Sequence, residues 1–260
     1  MTLQLQDKIA LVTGSTRGLG RELAVGLAQA GAHIVVVGRD AQTGEATAQA
    51  VRAAGREAIV LAGDVTDEAA MEGVAADAIA HFGRIDTLVC TAGISGPGVP
   101  VWESTAADFR SCFDVNVLGV MLAMRAVLPH MIAAQQGRVI VIGGTYGHKG
   151  VANAAIYAAS KWALRGLVKS TALEAAPFGV TCNMVAPGGV EGERLRGQFQ
   201  KIADKRGETL EAALARFNST TALGRLVTGD DIAAAIIHLA SDGGRQITGQ
   251  DIVIDSGTIV

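Results

Sequence analysis

Aromatic side chains are scarce in this chain, 4% of 260 residues, so any core it builds must be aliphatic. Charge is also limited, at 18% against 49% hydrophobic residues. That leaves enough apolar material for a three-layer core and too little charge for a disordered chain. A net charge of -3 supplies no long-range field for a polyanion, and no basic run with interleaved aromatics occurs, so nucleic acid is not an expected partner. Cysteine is limited to Cys90, Cys112 and Cys182. Their odd number and lack of metal-ligand spacing suit buried free thiols in a reducing compartment and offer no metal site. No apolar run approaches the roughly 18 residues of a membrane helix. The first apolar strand starts by Ile9, too early for a signal segment, so a cytoplasmic protein without a membrane partner is expected.

What the chain has is alternation. Short β-branched runs recur at Ile9 to Thr13, His33 to Gly38, Ala58 to Ala62, Thr87 to Cys90, Val139 to Ile142, Val180 to Val185 and Ile252 to Ile254. Several are apolar at nearly every position, as expected of parallel strands covered on both faces. Between them lie alanine-rich segments such as RELAVGLAQA and EGVAADAIAHF, suited to helices packed tightly on a sheet. The alternation predicts an α/β fold: a doubly wound parallel sheet in three α-β-α layers. No linker or solenoid repeat divides the chain, so residues 1–260 are expected to form one domain. A polar insertion at about 188–228 is too long for a strand-to-helix connection and reads as a lid or substrate wall. Leu195, Phe199, Ile202, Leu210, Leu214 and Phe217 recur there at near-helical intervals, as the inner face of a short helical lid. Glu191, Glu193, Arg194, Arg196, Lys201, Lys205 and Arg206 read as its solvated face, the other reading being a clamp on a polar or anionic substrate.

The stretch LVTGSTRGLGRELA follows the first strand and opens a helix, with glycines at Gly14, Gly18 and Gly20. Such glycines let the backbone approach a pyrophosphate, whose charge then lies at the helix N-terminus. Alone, the triplet is equally a structural turn; its place after the first strand points to a dinucleotide. Further motifs are GDVTD at Gly63 to Asp67, TAG at Thr91 to Gly93, VNVLG at Val115 to Gly119 and YAASK at Tyr157 to Lys161. NMVAPG at Asn183 to Gly188 and ITGQDIVIDSG at Ile247 to Gly257 complete the series. With the T-G-x-x-x-G-x-G turn, this series resembles the short-chain dehydrogenase/reductase family, in its single-domain branch, over nearly the whole chain. The resemblance implies a Rossmann sheet, a homotetramer assembled through two long helices, and interconversion of a secondary alcohol and a ketone with a nicotinamide cofactor.

By that resemblance Gly14, Ser15, Thr16, Arg17, Gly18, Leu19 and Gly20 line the cofactor, as do Asp64 and Val65 near its adenine. Ala92 and Gly93 line its nicotinamide ribose, and the backbone of Pro187, Gly188 and Val190 holds its carboxamide; a threonine often found shortly after is replaced by Gly192. An acidic residue at the end of the second strand suits NAD, and an arginine there suits a 2′-phosphate. Here Gly38 holds the acidic position, Arg39 follows it, and Arg17 can face the same pocket with bidentate contacts. NADP(H) is therefore favoured over NAD(H), unless Asp40 merely pairs with Arg39 and Arg17 serves only its own turn.

Tyr157 and Lys161, at i and i+4, project from one helix face with Cβ atoms about 5–6 Å apart. A neighbouring ammonium favours the phenolate of a group that ordinarily titrates near 10. On spacing alone this would more often be a surface pair. The resemblance implies instead that Tyr157 exchanges a proton with the substrate oxygen, while Lys161 lowers its pKa and binds the nicotinamide ribose. Asn116 resembles the asparagine that breaks a helix and helps order a water; otherwise it reads as a helix-interior amide bonded to backbone. The family's serine, thirteen positions before the tyrosine, is replaced by Gly144. Losing such a donor typically costs about 10² to 10³ in rate. Thr145, one residue on, is the favoured stand-in because a hydroxyl changes the chemistry least. Tyr146 or His148 could donate instead, or a substrate could orient itself through the Gly144 gap; His148 otherwise reads as a solvated loop residue. Cys90 and Thr91 replace two amides that tie adjacent strands, a matter of sheet stability. Gly144 also supports the alternative of a cofactor-binding regulatory or scaffold protein with lapsed chemistry. An epimerase of the longer branch fails on length and glycine spacing.

Overall fold

The computed structural model describes residues 4–259. Seven strands follow in chain order: β1 (Ile9–Thr13), β2 (His33–Gly38), β3 (Ala58–Ala62), β4 (Thr87–Cys90), β5 (Gly137–Ile142), β6 (Val180–Pro187) and β7 (Asp251–Ile254). They pair in parallel in the order β3-β2-β1-β4-β5-β6-β7. Every expected run is a strand. The runs are apolar throughout because each face is covered. In β1, Ile9 and Leu11 point into the layer of α3 (Glu68–Phe82), α5 (Gly119–Ala133) and α6 (Ala155–Ala175). Ala10 and Val12 point into the layer of α1 (Gly18–Gln29), α2 (Ala41–Ala53) and α9 (Gly229–Ala240). The chain winds outward from β1 to β3, then crosses back to β4. The carboxyl ends of β1 and β4 therefore meet at the topological switch point, where ligands of such sheets bind.

Between β4 and β5, α4 (Ala106–Phe113) passes through a π-helical turn, Asp114–Leu118, into α5. The continuous run Ala106–Ala133 is long and apolar enough to cross a membrane, with a mean hydropathy of 1.6 over its apolar window, which corrects the expectation that no such run exists. Half of that window is buried inside the protein, where Leu122, Ala123, Val127 and Met131 pack into the core. Sheet coverage accounts for its apolar character.

The insertion expected to form a short helical lid consists of two helices, α7 (Glu193–Arg206) and α8 (Leu210–Asn218). α7 ends at Gly207, whose φ of 65° reverses the chain, and Thr209 caps α8 by accepting from Ala212 N at 3.1 Å. Phe199 and Phe217 meet edge-on across the pair at 5.2 Å between ring centroids. Ala203 and Ala213 are the buried residues between the helices, while Ile202, expected inside, is exposed.

Candidate active site

At the carboxyl end of β1 the glycines divide their work. A Cβ at Gly14 (φ 66°) would stand 2.8 Å from Ala92 Cα, and one at Gly20 would stand 2.3 Å from Gly14 O. At Gly18 (φ 54°) it would meet nothing within 4 Å. Two glycines thus close the turn and the third leaves room outside it. α1 starts there without a side-chain cap from Arg17, so its first amides are available to an anion. The turn fits a dinucleotide pyrophosphate. Ser15 corrects its expected place on the cofactor side. Its buried hydroxyl donates to Val12 O at 2.6 Å and accepts from Val37 N at 3.1 Å, so the side chain builds the turn from within. Leu19 packs onto the core and Val65 against Gly119, so each turns its side chain inward. Thr91, standing where an amide was expected to tie the strands, makes such a tie itself: its N–H donates to Thr13 Oγ1 at 3.2 Å and its hydroxyl to the Thr13 carbonyl.

At the end of β2, a Cβ on Gly38 would meet Thr16 Cγ2 at 2.4 Å, so a carboxylate cannot stand there unless Thr16 moves. Asp40 caps α2 by accepting from Gln42 N at 2.8 Å. Arg39 lies in the field of Asp64, whose carboxyl is held below its ordinary range first by the backbone and hydroxyl of Thr66 and then by that arginine. At the end of β6, Val227 N donates to Gly189 O at 3.0 Å and Glu191 N to Val227 O at 2.8 Å. This bridge leaves the N–H and carbonyl of Val190 pointing away from Val227. Gly188 N donates to Ile254 O at 2.9 Å, anchoring the PGGV turn to β7.

Tyr157 stands in the first turn of α6 and Lys161 in the second. Burial pushes the Tyr157 hydroxyl up and brings Lys161 down from 10.5 to about 8. Lys161 Nζ donates to Ile142 O at 3.0 Å and lies 5.7 Å from the Tyr157 ring centroid. Asn116, at the middle of the π-helical turn, is buried. Its Oδ1 accepts from Ile94 N at 2.8 Å, and its Nδ2 donates to Ile94 O at 3.0 Å and Ser160 Oγ at 3.1 Å. The helix break and the backbone-bonded amide, offered as alternatives by the sequence, occur together. Gly93 adjoins both polar groups, since a Cβ there would lie 3.3 Å from Asn116 Oδ1 and 4.0 Å from Lys161 Nζ.

The loop after β5 differs from expectation. Gly144 has φ 152° and ψ 158°, and a Cβ there would meet only Pro187 O, at 3.8 Å. Thr145 is buried in the 3-10 turn Thr145–Gly147. Tyr146 and Tyr157, the only tyrosines in the chain, meet edge-on at 5.5 Å. His148 turns the other way. Its Nε2 is buried without a partner, and the charges facing it are Arg165, Asp251, Asp255 and Lys169. Burial first and Arg165 second hold its pKa down. Arg165 fastens this part of the loop, donating to Asp251 Oδ2 at 2.7 Å and Gly147 O at 3.2 Å. The turn therefore carries His148 toward β7, which removes it as a donor to substrate and corrects both readings of it.

Arg194 is exposed, as charge patterning expects, yet its head group reaches the site. From the first turn of α7 it donates to Ser95 Oγ at 2.8 Å. Its guanidinium opposes the effect of burial on Tyr157, by charge and then by donation, and its charge reaches Tyr146 and Lys161. The chain enters α7 through Gly192 at φ 146°, which folds that first turn back over the site. A glycine at the helix entrance was the one available signal.

The family model described as short chain dehydrogenase matches residues 8–203. A cis-4-hydroxycyclohexanecarboxylate dehydrogenase of Sinomonas cyclohexanicum is 34% identical over 251 residues, covering 96% of each chain. Among solved structures, a variant actinorhodin polyketide ketoreductase with NADPH superimposes with a TM-score of 0.92 at 31% identity over 97% of each chain. An NAD+-bound xylitol dehydrogenase superimposes with a TM-score of 0.92 at 28% identity, covering 98% of this chain and all of that one. With the glycine turn, the Tyr157–Lys161 pair and matches that run from end to end, the chain belongs to the short-chain dehydrogenase family of NAD(P)-dependent oxidoreductases acting on alcohols and ketones.

Proposed function

We propose that this protein interconverts a secondary alcohol and a ketone, with Tyr157 as general acid/base and NADP(H) preferred. One observation carries the reading: a half-buried tyrosine and a buried lysine stand one helical turn apart on α6, the lysine beside Gly93 and Asn116. The nicotinamide, when bound, supplies or accepts the hydride. Gly14, Thr16, Arg17, Gly18, Leu19 and Gly20 would hold the dinucleotide along the turn, with Ala92, Gly93, Lys161 and the backbone of Pro187, Gly188 and Val190 at its nicotinamide end. Tyr157 Oη donates its proton to the substrate oxygen in reduction and recovers one in oxidation. Lys161 favours the phenolate by charge, and its bond to Ile142 O fixes the ammonium in place. Thr145 is the proposed hydroxyl donor to the substrate oxygen, and Tyr146 the wall behind it.

The NADP preference rests on the lack of a carboxylate at Gly38 and on the cations Arg39 and Arg17 that the sequence sets near that end of the cofactor. The partner is a small molecule, and the assembly proposed is a homotetramer through α5 and α6. A cytoplasmic location accords with three buried free thiols. The test is to follow absorbance of NADPH and NADH with cyclic ketones, sugars and 3-oxoacyl thioesters, and of the oxidised cofactors with the alcohols. Tyr157→Phe is expected to abolish turnover; full activity in that variant would overturn the mechanism. Thr145→Val is expected to lower kcat by about 10², and an unchanged kcat would remove Thr145 from it. The Gly144 conformation keeps a second reading open, a cofactor-binding protein without turnover, which tight cofactor binding with no reaction across the panel would establish.

A further inference from the structure

Arg194 brings a positive charge to Tyr157, and no carboxylate among the described residues pairs with it. The groups it donates to among the described residues are uncharged, Ser95 Oγ at 2.8 Å and the Tyr157 hydroxyl. The ion pairs of the lid, Arg196–Glu191 and Arg216–Glu208, do not involve it. Lys161, the other cation of the site, donates to a neutral carbonyl. The titratable groups that bear on Tyr157 and Lys161 are Arg194 and the Cys112 thiol, with no carboxylate among them. Two cations facing one cleft repel each other, and an anion between them relieves the repulsion. The cofactor's pyrophosphate is not that anion, because its turn lies at the start of α1, whereas Arg194 stands over Ser95 and Tyr157.

We propose that Arg194 is the specificity-determining residue of this site, and that its ligand is a carboxylate carried by the substrate away from the reacting carbon. The inference deepens the reading of Tyr157 given above and rests on it. A guanidinium presents paired N–H groups that match a carboxylate bidentately. Binding exchanges the Ser95 bond for the carboxylate and draws the guanidinium off the Tyr157 hydroxyl, which frees that hydroxyl for the reacting oxygen. Space for the body of such a substrate exists beside Gly144, where a Cβ would meet only Pro187 O, at 3.8 Å.

The experiment compares 4-oxocyclohexanecarboxylate with its uncharged carboxamide in the native protein and in Arg194→Gln and Arg194→Lys. The native protein is expected to prefer the carboxylate. Arg194→Gln should cut the carboxylate-to-carboxamide ratio of kcat/KM by about 10- to 100-fold, mainly through KM, and Arg194→Lys should restore part of it. Calorimetric titration of cyclohexanecarboxylate into the protein–cofactor complex reads the same site without turnover; heat is expected with the native chain and none with Arg194→Gln. An equal loss on both substrates through kcat would make Arg194 a donor to the reacting oxygen and overturn the proposal. No preference for the charged substrate, or binding heat that survives Arg194→Gln, would also overturn it. The Tyr157 reading is judged separately, by Tyr157→Phe on the carboxamide, so either can fall alone.

Discussion

Gly144 holds φ 152° and ψ 158°, a region populated essentially by glycine, and forcing another residue into it costs about 1–3 kcal/mol. A serine there meets strain before its hydroxyl reaches anything. Gly144→Ser is therefore expected to lower Tm by about 2–8 °C without raising turnover on simple ketones. A variant of unchanged Tm and higher turnover would mean that the loop relaxes and the hydroxyl alone was missing. Lys161 carries a cost of another kind. Its pKa falls from 10.5 to about 8, so keeping it charged at neutral pH costs roughly 3 kcal/mol, against about 1 kcal/mol for its bond to Ile142 O. Lys161→Met is expected to abolish activity and raise Tm at pH 7. Between pH 8 and 10.5 the unfolded chain still holds the proton that the folded lysine has released, so this group's contribution to stability rises with pH. The advantage of the variant should shrink over that window, and an advantage that did not change with pH would assign it to packing. Tyr157, Lys161 and Asn116 were legible because motif and helical spacing place them. His148 and Arg194 were not, since their neighbours depend on how the chain turns at Gly144 and Gly192, which residue spacing does not encode.

The strands were legible because burial on both faces leaves an unbroken apolar run. The division of the lid was not, because its apolar spacing continues across the Gly207–Thr209 break and a period alone cannot locate a stop. The continuous run of α4 and α5 was missed for a related reason. Asp114 and Arg125 interrupt the sequence pattern while the helix continues through them. The α8 helix bears on the turn after β6 through the Phe217 ring, since a Cβ on Gly189 would meet Phe217 Cε1 at 2.5 Å. Gly189→Ala is expected to push Phe217 and α8 outward and, at about 1–3 kcal/mol of overpacking, to raise KM for cofactor and substrate. Phe217→Leu in the same chain should reverse most of the rise. Failure of that rescue in steady-state kinetics would detach the effect from the lid.

Leu173 is 80% exposed and Trp162 48% exposed on the outer side of α6, and Trp102, ahead of α4, is 82% exposed. Exposed apolar groups of this size suit the association face of the proposed tetramer. Leu173→Glu is expected to lower the mass measured by sedimentation; a tetramer that persists would assign the contact to another face, and a monomeric native protein would overturn the assembly. The three cysteines are buried within the fold. Burial pushes Cys182 up to about 12, and Cys90 and Cys112 are raised as well. A thiol sealed and held protonated reacts only when the chain around it opens. Cys112 accepts from Asn116 Nδ2 at 3.3 Å, so its alkylation times the loosening of the helix break beside Tyr157. Cys90 and Cys182, on β4 and β6, time the parting of the sheet. The few cysteines are thus internal clocks, one for the breathing of the active site and two for the survival of the fold.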